Sequence, residues 1–221
     1  MRREHAVRTS RLSAIAGMAV LTCGLAALGG GAASADEKKP APAAAGEKAA
    51  SAASEAEMAA WAAYGTPGPH HKVLDALIGT WDAKMVFWPS PGADPIVSAG
   101  TSEWTWVLGG RFVQQEFTGA DASRAFTGKG FTGYNNASKR FESVWMDSEG
   151  TGMIRTTGAI DETGKVLTTT GEFADAMTGA MRPVKYVTRF VDANEVVFEM
   201  HQPGADGAFV KKFEVVYSKR S

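Results

Sequence analysis

From Trp81 to the C-terminus the chain breaks into ten short runs in which apolar and polar side chains alternate, each closed by a turn signature. Period-two alternation over four to ten residues is the signature of a strand with one buried face. Trp81, Ala83, Met85 and Phe87 share one face of the first run, and Ser102, Trp104, Trp106 and Leu108 share one face of the second. Gly109-Gly110 then turns the chain into Arg111–Phe117. Ala125–Tyr134, Arg140–Asp147, Gly152–Ile160, Lys165–Phe173, Pro183–Val191, Glu195–His201 and Phe209–Ser218 complete the series. Asn135-Asn136, Glu149-Gly150, Glu162-Thr163-Gly164, Asp192-Ala193-Asn194 and Pro203–Gly207 punctuate it.

Consecutive strands with short connections predict an all-β, antiparallel up-and-down barrel of about ten strands, because closure removes the edges along which open sheets aggregate. A two-sheet sandwich is the alternative. No helical run separates the strands, which excludes a parallel α/β fold. Gly128, Gly130 and Gly133 lie inside one strand, where glycine marks a bent wall or the close approach of another group. Their letters match a dinucleotide fingerprint, but no helix follows them, so that reading is set aside.

The N-terminus reads as an export signal. Arg2, Arg3, Arg8 and Arg11 form a basic leader, Leu12–Leu28 is uncharged, and Ala33-Ser34-Ala35 offers a small-x-small cleavage site. The apolar stretch, about 17 residues, is at the low edge for a membrane span. Cys23 follows Val20-Leu21-Thr22, a poor lipidation context, and the residues after Arg2-Arg3 match the twin-arginine pattern weakly. Residues 1–35 are therefore expected to be removed, giving a periplasmic or extracellular protein with no membrane span of its own. Cys23 is the only cysteine, so a mature chain starting at Asp36 has no disulfide, thiol nucleophile or thiolate ligand. Loss of four arginines and one glutamate leaves 19 basic and 23 acidic side chains, a balance that argues against nucleic-acid binding.

Residues 36–54 are Ala, Lys, Glu, Pro and Ser without a large apolar side chain, and read as a disordered tether whose alanines permit transient helix. Residues 55–221 form the domain. Met58, Trp61 and Ala62 mark one face of a first lead-in helix, stopped by Pro67 and Pro69. His71, Leu74, Leu77 and Ile78 mark a second, ended by Gly79. Both are expected to pack on one end of the barrel.

Five pieces in order carry a family resemblance: His71-x-x-Leu74-x-x-Leu77-x-Gly79-x-Trp81, Leu108-Gly109-Gly110-Arg111-Phe112, Gly128-x-Gly130-x-x-Gly133-Tyr134, Trp145-x-Asp147-Ser148, and Glu214-x-x-Tyr217. Over roughly Met58–Arg220 the chain resembles the bacterial domain-of-unknown-function family 1579, and more broadly the lipocalin-like (calycin) barrels. The resemblance implies a calycin-like barrel in which Trp81 packs at the closed end against a basic residue of the last strand, Lys219 or Arg220. It supplies no catalytic residues. The family usually shows Asp after Gly-Tyr where this chain has Asn135, so no carboxylate role is carried over there.

Catalytic and metal constellations are missing from the pattern. His70, His71 and His201 are the histidines of the mature chain, and two adjacent ones cannot converge with a third as zinc requires. A haem needs one axial histidine, as in the nitrobindins among calycin-like barrels, and His201 at a strand end is the candidate for that alternative. Nothing resembles a nucleophile elbow. The candidate ligand-binding residues are Trp104, Trp106, Arg111, Phe117, Tyr134, Trp145, Asp147 and Tyr186, an aromatic stock suited to line an apolar cavity with a few polar groups. Asp147 shares a strand face with Trp145, and an inward carboxylate must be paired; Arg111, whose fork grips carboxylates, is the expected partner. The leading functional expectation is binding of a small, largely apolar molecule without a cofactor. A haem-bearing or catalytic barrel, and a filled barrel serving as a protein-interaction module, are the alternatives.

Overall fold

The computed structural model describes residues 43–90, 92–120 and 126–221, with side chains from Ala53 onward. The leader, Cys23, the cleavage site, residues 36–42 and Ala125 lie outside the described residues. Three helical segments come first: α1 (Ala43–Gly65), α2 (Pro69–Lys72) and a 3-10 turn, Val73–Leu77. Ten strands follow: β1 (Gly79–Phe87), β2 (Ile96–Val107), β3 (Phe112–Gly119), β4 (Thr127–Asn135), β5 (Arg140–Asp147), β6 (Ile154–Ile160), β7 (Val166–Ala174), β8 (Met181–Phe190), β9 (Glu195–Pro203) and β10 (Phe209–Lys219).

Each strand pairs antiparallel with the next, and β10 returns to pair with β1, so the sheet is a closed up-and-down barrel. Ala83 of β1 is flanked by Gly100 of β2 on one side and Tyr217 of β10 on the other, which leaves no edge at the seam. The expected second strand begins earlier than its alternation indicates. Ile96–Thr101 has no clean apolar face, yet it runs in unbroken register along β1 from Phe87–Ile96 to Asp82–Thr101. Leu108, expected on the inner face with Trp104, instead sits in the β2–β3 turn at φ 50 and is 71% exposed.

The barrel has two different ends. The turns β2–β3, β4–β5, β6–β7 and β8–β9 lie with the start of β1 at the capped end, and the connections at residues 88–90 with 92–95, 148–153, 175–180 and 204–208 lie at the opposite end, around a mouth. The cap is α2 and the 3-10 turn. Leu74, Leu77 and His71 are buried there against Trp81 and Phe141, and each buried leucine contributes about 1.5–3 kcal/mol of apolar burial. Trp81 donates its indole N–H to the Leu77 carbonyl at 2.7 Å, and the Lys219 ammonium lies 5.2 Å from its ring centre. Arg220 pairs instead with Asp82, its Nε donating at 2.8 Å. The Gly79 backbone, at φ 127, is in a region closed to most side chains, and an added Cβ would stand 3.1 Å from Lys219 Cε.

His71 is fixed from two sides. Its Nδ1 accepts the Gly68 backbone N–H at 3.0 Å and the ring also bonds the Tyr134 backbone, while burial lowers its pKa. His70 stacks on Tyr134 at 4.3 Å.

The expectation that α1 packs on the barrel is overturned. Met58, Trp61 and Tyr64 are exposed, Trp61 by 65%. Pro67 and Pro69 redirect the chain, and only the segment after them presents its apolar face to the barrel. What ties α1 down is its C-terminus. Asn136 of the β4–β5 turn donates its side-chain amide to the carbonyls of Ala63, Tyr64 and Thr66 at 3.1, 3.0 and 2.8 Å, satisfying acceptors that a helix end leaves open. The helix also begins at Ala43, so residues 43–54 of the expected tether are helical.

Candidate functional site

The inner wall encloses a cavity of about 340 Å³. Alternation builds it: Met85 of β1, Trp104 of β2, Phe117 of β3, Trp145 of β5, Phe198 and Met200 of β9, and Phe213 and Val215 of β10 all point inward. Leu77 of the 3-10 turn closes the capped end, and Asp147, Phe126 and Ile154 stand toward the mouth.

Trp145 occupies its place because the wall opposite has no side chains. Gly128 and Gly130 are the neighbours of Asp147 and Trp145 across the β4–β5 ladder. A Cβ at Gly128 would lie 2.2 Å from Trp145 Cζ2, and one at Gly130 would lie 3.1 Å from Cε3. Gly133, of the other parity, makes room for the Phe112 ring. The glycine pattern that resembles a phosphate loop is thus two inner glycines under an indole and a third beneath a phenylalanine.

Polar groups enter the cavity wall in two paired sets. Gln115 Nε2 donates to Ser102 Oγ at 3.0 Å and to the Tyr217 hydroxyl at 3.1 Å. Burial pushes the Tyr217 phenol up to about 12, against a smaller opposing effect of that Gln115 bond. Ser143, Thr156 and Thr169 form a hydroxyl chain with steps of 2.7 and 2.9 Å. Both sets are internally satisfied, as buried polar groups must be.

Asp147 is placed differently. Its Oδ2 accepts the Trp145 indole N–H at 2.9 Å and its Oδ1 accepts the Glu149 backbone N–H at 3.0 Å. Tyr186, on β8, also lines the cavity and meets Phe198 edge-on at 5.0 Å. Burial raises the Tyr186 phenol pKa, and the charge of Asp147, which lines the same cavity, raises it further.

Of the residues singled out from the sequence, the cavity gathers Trp104, Phe117, Trp145, Asp147 and Tyr186. Trp106 and Tyr134 belong to the cap: Trp106 donates to Asp75 Oδ1 at 2.9 Å, and Tyr134 packs between His70 and Phe141. The Arg111–Asp147 pair does not exist. Arg111 is exposed and donates to the Leu108 carbonyl at 3.1 Å at the capped end. Phe112 is opposite Gly133, Asp147 is opposite Gly128, and the five residue steps from one glycine to the other span about 17 Å of strand.

The candidate haem ligand is also misplaced for its role. Phe198 and Met200 face the cavity, so His201 faces outward, where Nε2 lies 3.0 Å from Glu199 Oε2. It joins an outer-wall charge group in which Glu199 also meets Arg189 and Lys211, and Lys211 bonds Glu214. Among the described residues no three of His, Cys, Asp and Glu are grouped to hold a metal, and no helix is long and apolar enough to cross a membrane.

Sequence reasoning missed Gln115, Tyr217 and the Ser143–Thr156–Thr169 chain. Gln115 was readable, since it has the parity of Phe117. Asn135 accepts the Ala137 and Ser138 backbone N–H groups at 2.9 and 3.2 Å and donates to Glu142 at 2.9 Å. The amide shapes a turn, and its donor meets a carboxylate that an aspartate would repel.

A model of the family described as "Protein of unknown function (DUF1579)" matches residues 66–219. No curated protein matches the sequence. Among solved structures, Rv2717c from M. tuberculosis is similar at 15% identity and a TM-score of 0.51, with 71% of this chain and all of that chain (100%) covered, a likeness of fold alone. A redesigned β barrel aligns at 13% identity and a TM-score of 0.37, over 67% of this chain and 96% of that one.

Proposed function

This chain belongs to the DUF1579 family of proteins of unknown function, and we propose that its barrel binds a small, largely apolar molecule in the cavity. The observation that carries this reading is the lining itself. A space of about 340 Å³ is walled mainly by Phe, Trp, Met, Val and Leu side chains, with its two largest polar sets already bonded internally. That combination suits a guest that contributes apolar surface and few polar groups, in a volume within the usual range for small-molecule sites. A filled barrel acting only as a protein-interaction module leaves such a space without a role.

The lipocalin-like assignment is part of the same reading, supported by the Trp81–Lys219 contact at the capped end. Export belongs to it as well: the basic leader and Ala33-Ser34-Ala35 support cleavage before Asp36. N-terminal sequencing of protein recovered outside the cytoplasm is expected to begin at Asp36. A chain beginning at a lipid-modified Cys23 would place it on a membrane instead.

Native mass spectrometry of the exported protein tests the binding reading. The expected result is an added small-molecule mass that leaves on denaturation. Protein that carries no added mass, and gains none when offered apolar small molecules, would remove the support for binding.

A further inference from the structure

We infer that the polar end of the guest is a cation, and specifically that the cavity takes an apolar amine whose ammonium sits against the Asp147 carboxylate, with the Tyr186 hydroxyl on the same cavity wall. This rests on the proposed binding function and narrows its ligand class.

Asp147 is the one charged side chain among the described residues lining the cavity; no lysine, arginine or histidine is among them. Each carboxylate oxygen already accepts one hydrogen bond, from the Trp145 indole and from the Glu149 backbone. Those bonds fix the carboxylate's orientation and leave each oxygen acceptor capacity for a donor from the guest. The Tyr186 hydroxyl makes no hydrogen bond among the described residues and is not sealed from the cavity.

The cations of the described outer wall are directed elsewhere. Lys211 lies over the Trp88 ring at 5.1 Å and bonds Glu214, Lys185 lies over Phe209 at 5.1 Å, and Arg189 meets Glu199 at 3.1 Å, all on the outer wall. A fatty-acid carboxylate in the cavity would therefore find no cationic partner in the described wall and would face Asp147 as a like charge in a partly desolvated space. An ammonium has three donors, enough for Asp147 and Tyr186, and its attraction strengthens as water leaves. Its alkyl part would meet Trp145, Phe198 and Phe213.

Octylamine, octanol and octanoate share one chain length and differ in head-group charge at neutral pH. Isothermal titration calorimetry of the full mature protein with each is the test. Octylamine is expected to bind about tenfold or more tighter than octanoate, with octanol between them, as a charge-assisted hydrogen bond in a sheltered site requires. Asp147→Asn retains an acceptor for the Trp145 indole, and is expected to erase the octylamine preference while octanol binding persists. Tyr186→Phe leaves the charge in place and is expected to weaken octylamine while preserving its rank, which keeps the test decisive if Asp147→Asn misfolds. Equal binding of all three, or octanoate binding best, would overturn the amine assignment and leave the apolar cavity standing. Binding of none of them by the wild-type protein would overturn the binding reading on which it rests.

Discussion

Trp145 and Asp147, two residues apart on β5, are joined by a 2.9 Å hydrogen bond from the indole Nε1 to the carboxylate Oδ2. The same indole lies across Gly128 and Gly130 of β4. One side chain thus covers the glycine wall and orients the charge at the cavity mouth, so the packing of this strand pair and the chemistry of the site are coupled.

Gly128→Ala tests that packing. The Gly128 φ lies outside the left-handed region, so the substitution acts through space: its Cβ would lie 2.2 Å from Trp145 Cζ2. Trp145 must move, and overpacking of this kind costs about 1–3 kcal/mol. Chemical denaturation is expected to show that loss, together with a changed Trp145 environment in near-ultraviolet circular dichroism. A variant with wild-type stability and an unchanged indole signal would mean the ring does not rest on Gly128.

Arg111→Ala and Asp147→Ala should behave independently. Arg111 is exposed at the capped end, and its truncation is expected to change stability by no more than about 0.5 kcal/mol. The double variant should lose the sum of the single losses, because groups this far apart do not couple. A coupling energy well above the error of the cycle would restore the ion pair that the register excludes.

Alkaline pH should destabilise the fold through Tyr217. Its phenol is raised from 10.0 to about 12 in the folded state by burial. The unfolded chain therefore loses its proton first. The stabilising contribution is complete below pH 10 and is lost progressively as pH rises toward 12, amounting to about 2–3 kcal/mol at the upper end. Urea unfolding across that window is expected to show a falling free energy, with a shallower slope in Tyr217→Phe. Equal slopes in the two proteins would assign the alkaline loss to other groups.

Asn136→Ala should free α1 without unfolding the barrel. The side chain caps three carbonyls at the end of a helix whose aromatic face is already exposed. Limited proteolysis is expected to cut faster around Gly65–Pro69, with barrel stability within about 1 kcal/mol of wild type. Unchanged cleavage would mean α1 is held by something other than this cap.

Much of the architecture was legible in the sequence because a strand with one buried face writes itself as alternation. β1 carries a clear alternation, with Trp81, Ala83 and Met85 buried and the residues between them exposed, and β5 appears between the expected residues, Arg140 and Asp147. The first half of β2 was not legible, since Ile96–Thr101 is held by ladder bonds to β1 and not by an apolar face. Parity placed Trp145, Asp147, Phe117 and Trp104 on the inner wall, and Met200 beside His201 was enough to turn that histidine outward. Level along the barrel axis was the harder quantity. Whether Arg111, Trp106 and Tyr134 lie near Asp147 or near the cap depends on registers between strands, set by long-range pairing that single-strand patterns do not encode. The apolar face of α1 misled for a related reason: Met58, Trp61 and Ala62 share a helix face, but nothing in that spacing says which surface, if any, receives it.

The central claim, an open apolar cavity inside the barrel, is tested most directly by crystallography of the mature protein under xenon pressure. Apolar protein cavities of this kind take up xenon. The account predicts xenon density within the space bounded by Phe117, Trp145, Phe198 and Val215. A lumen filled by side chains, with xenon at surface positions only, would contradict it.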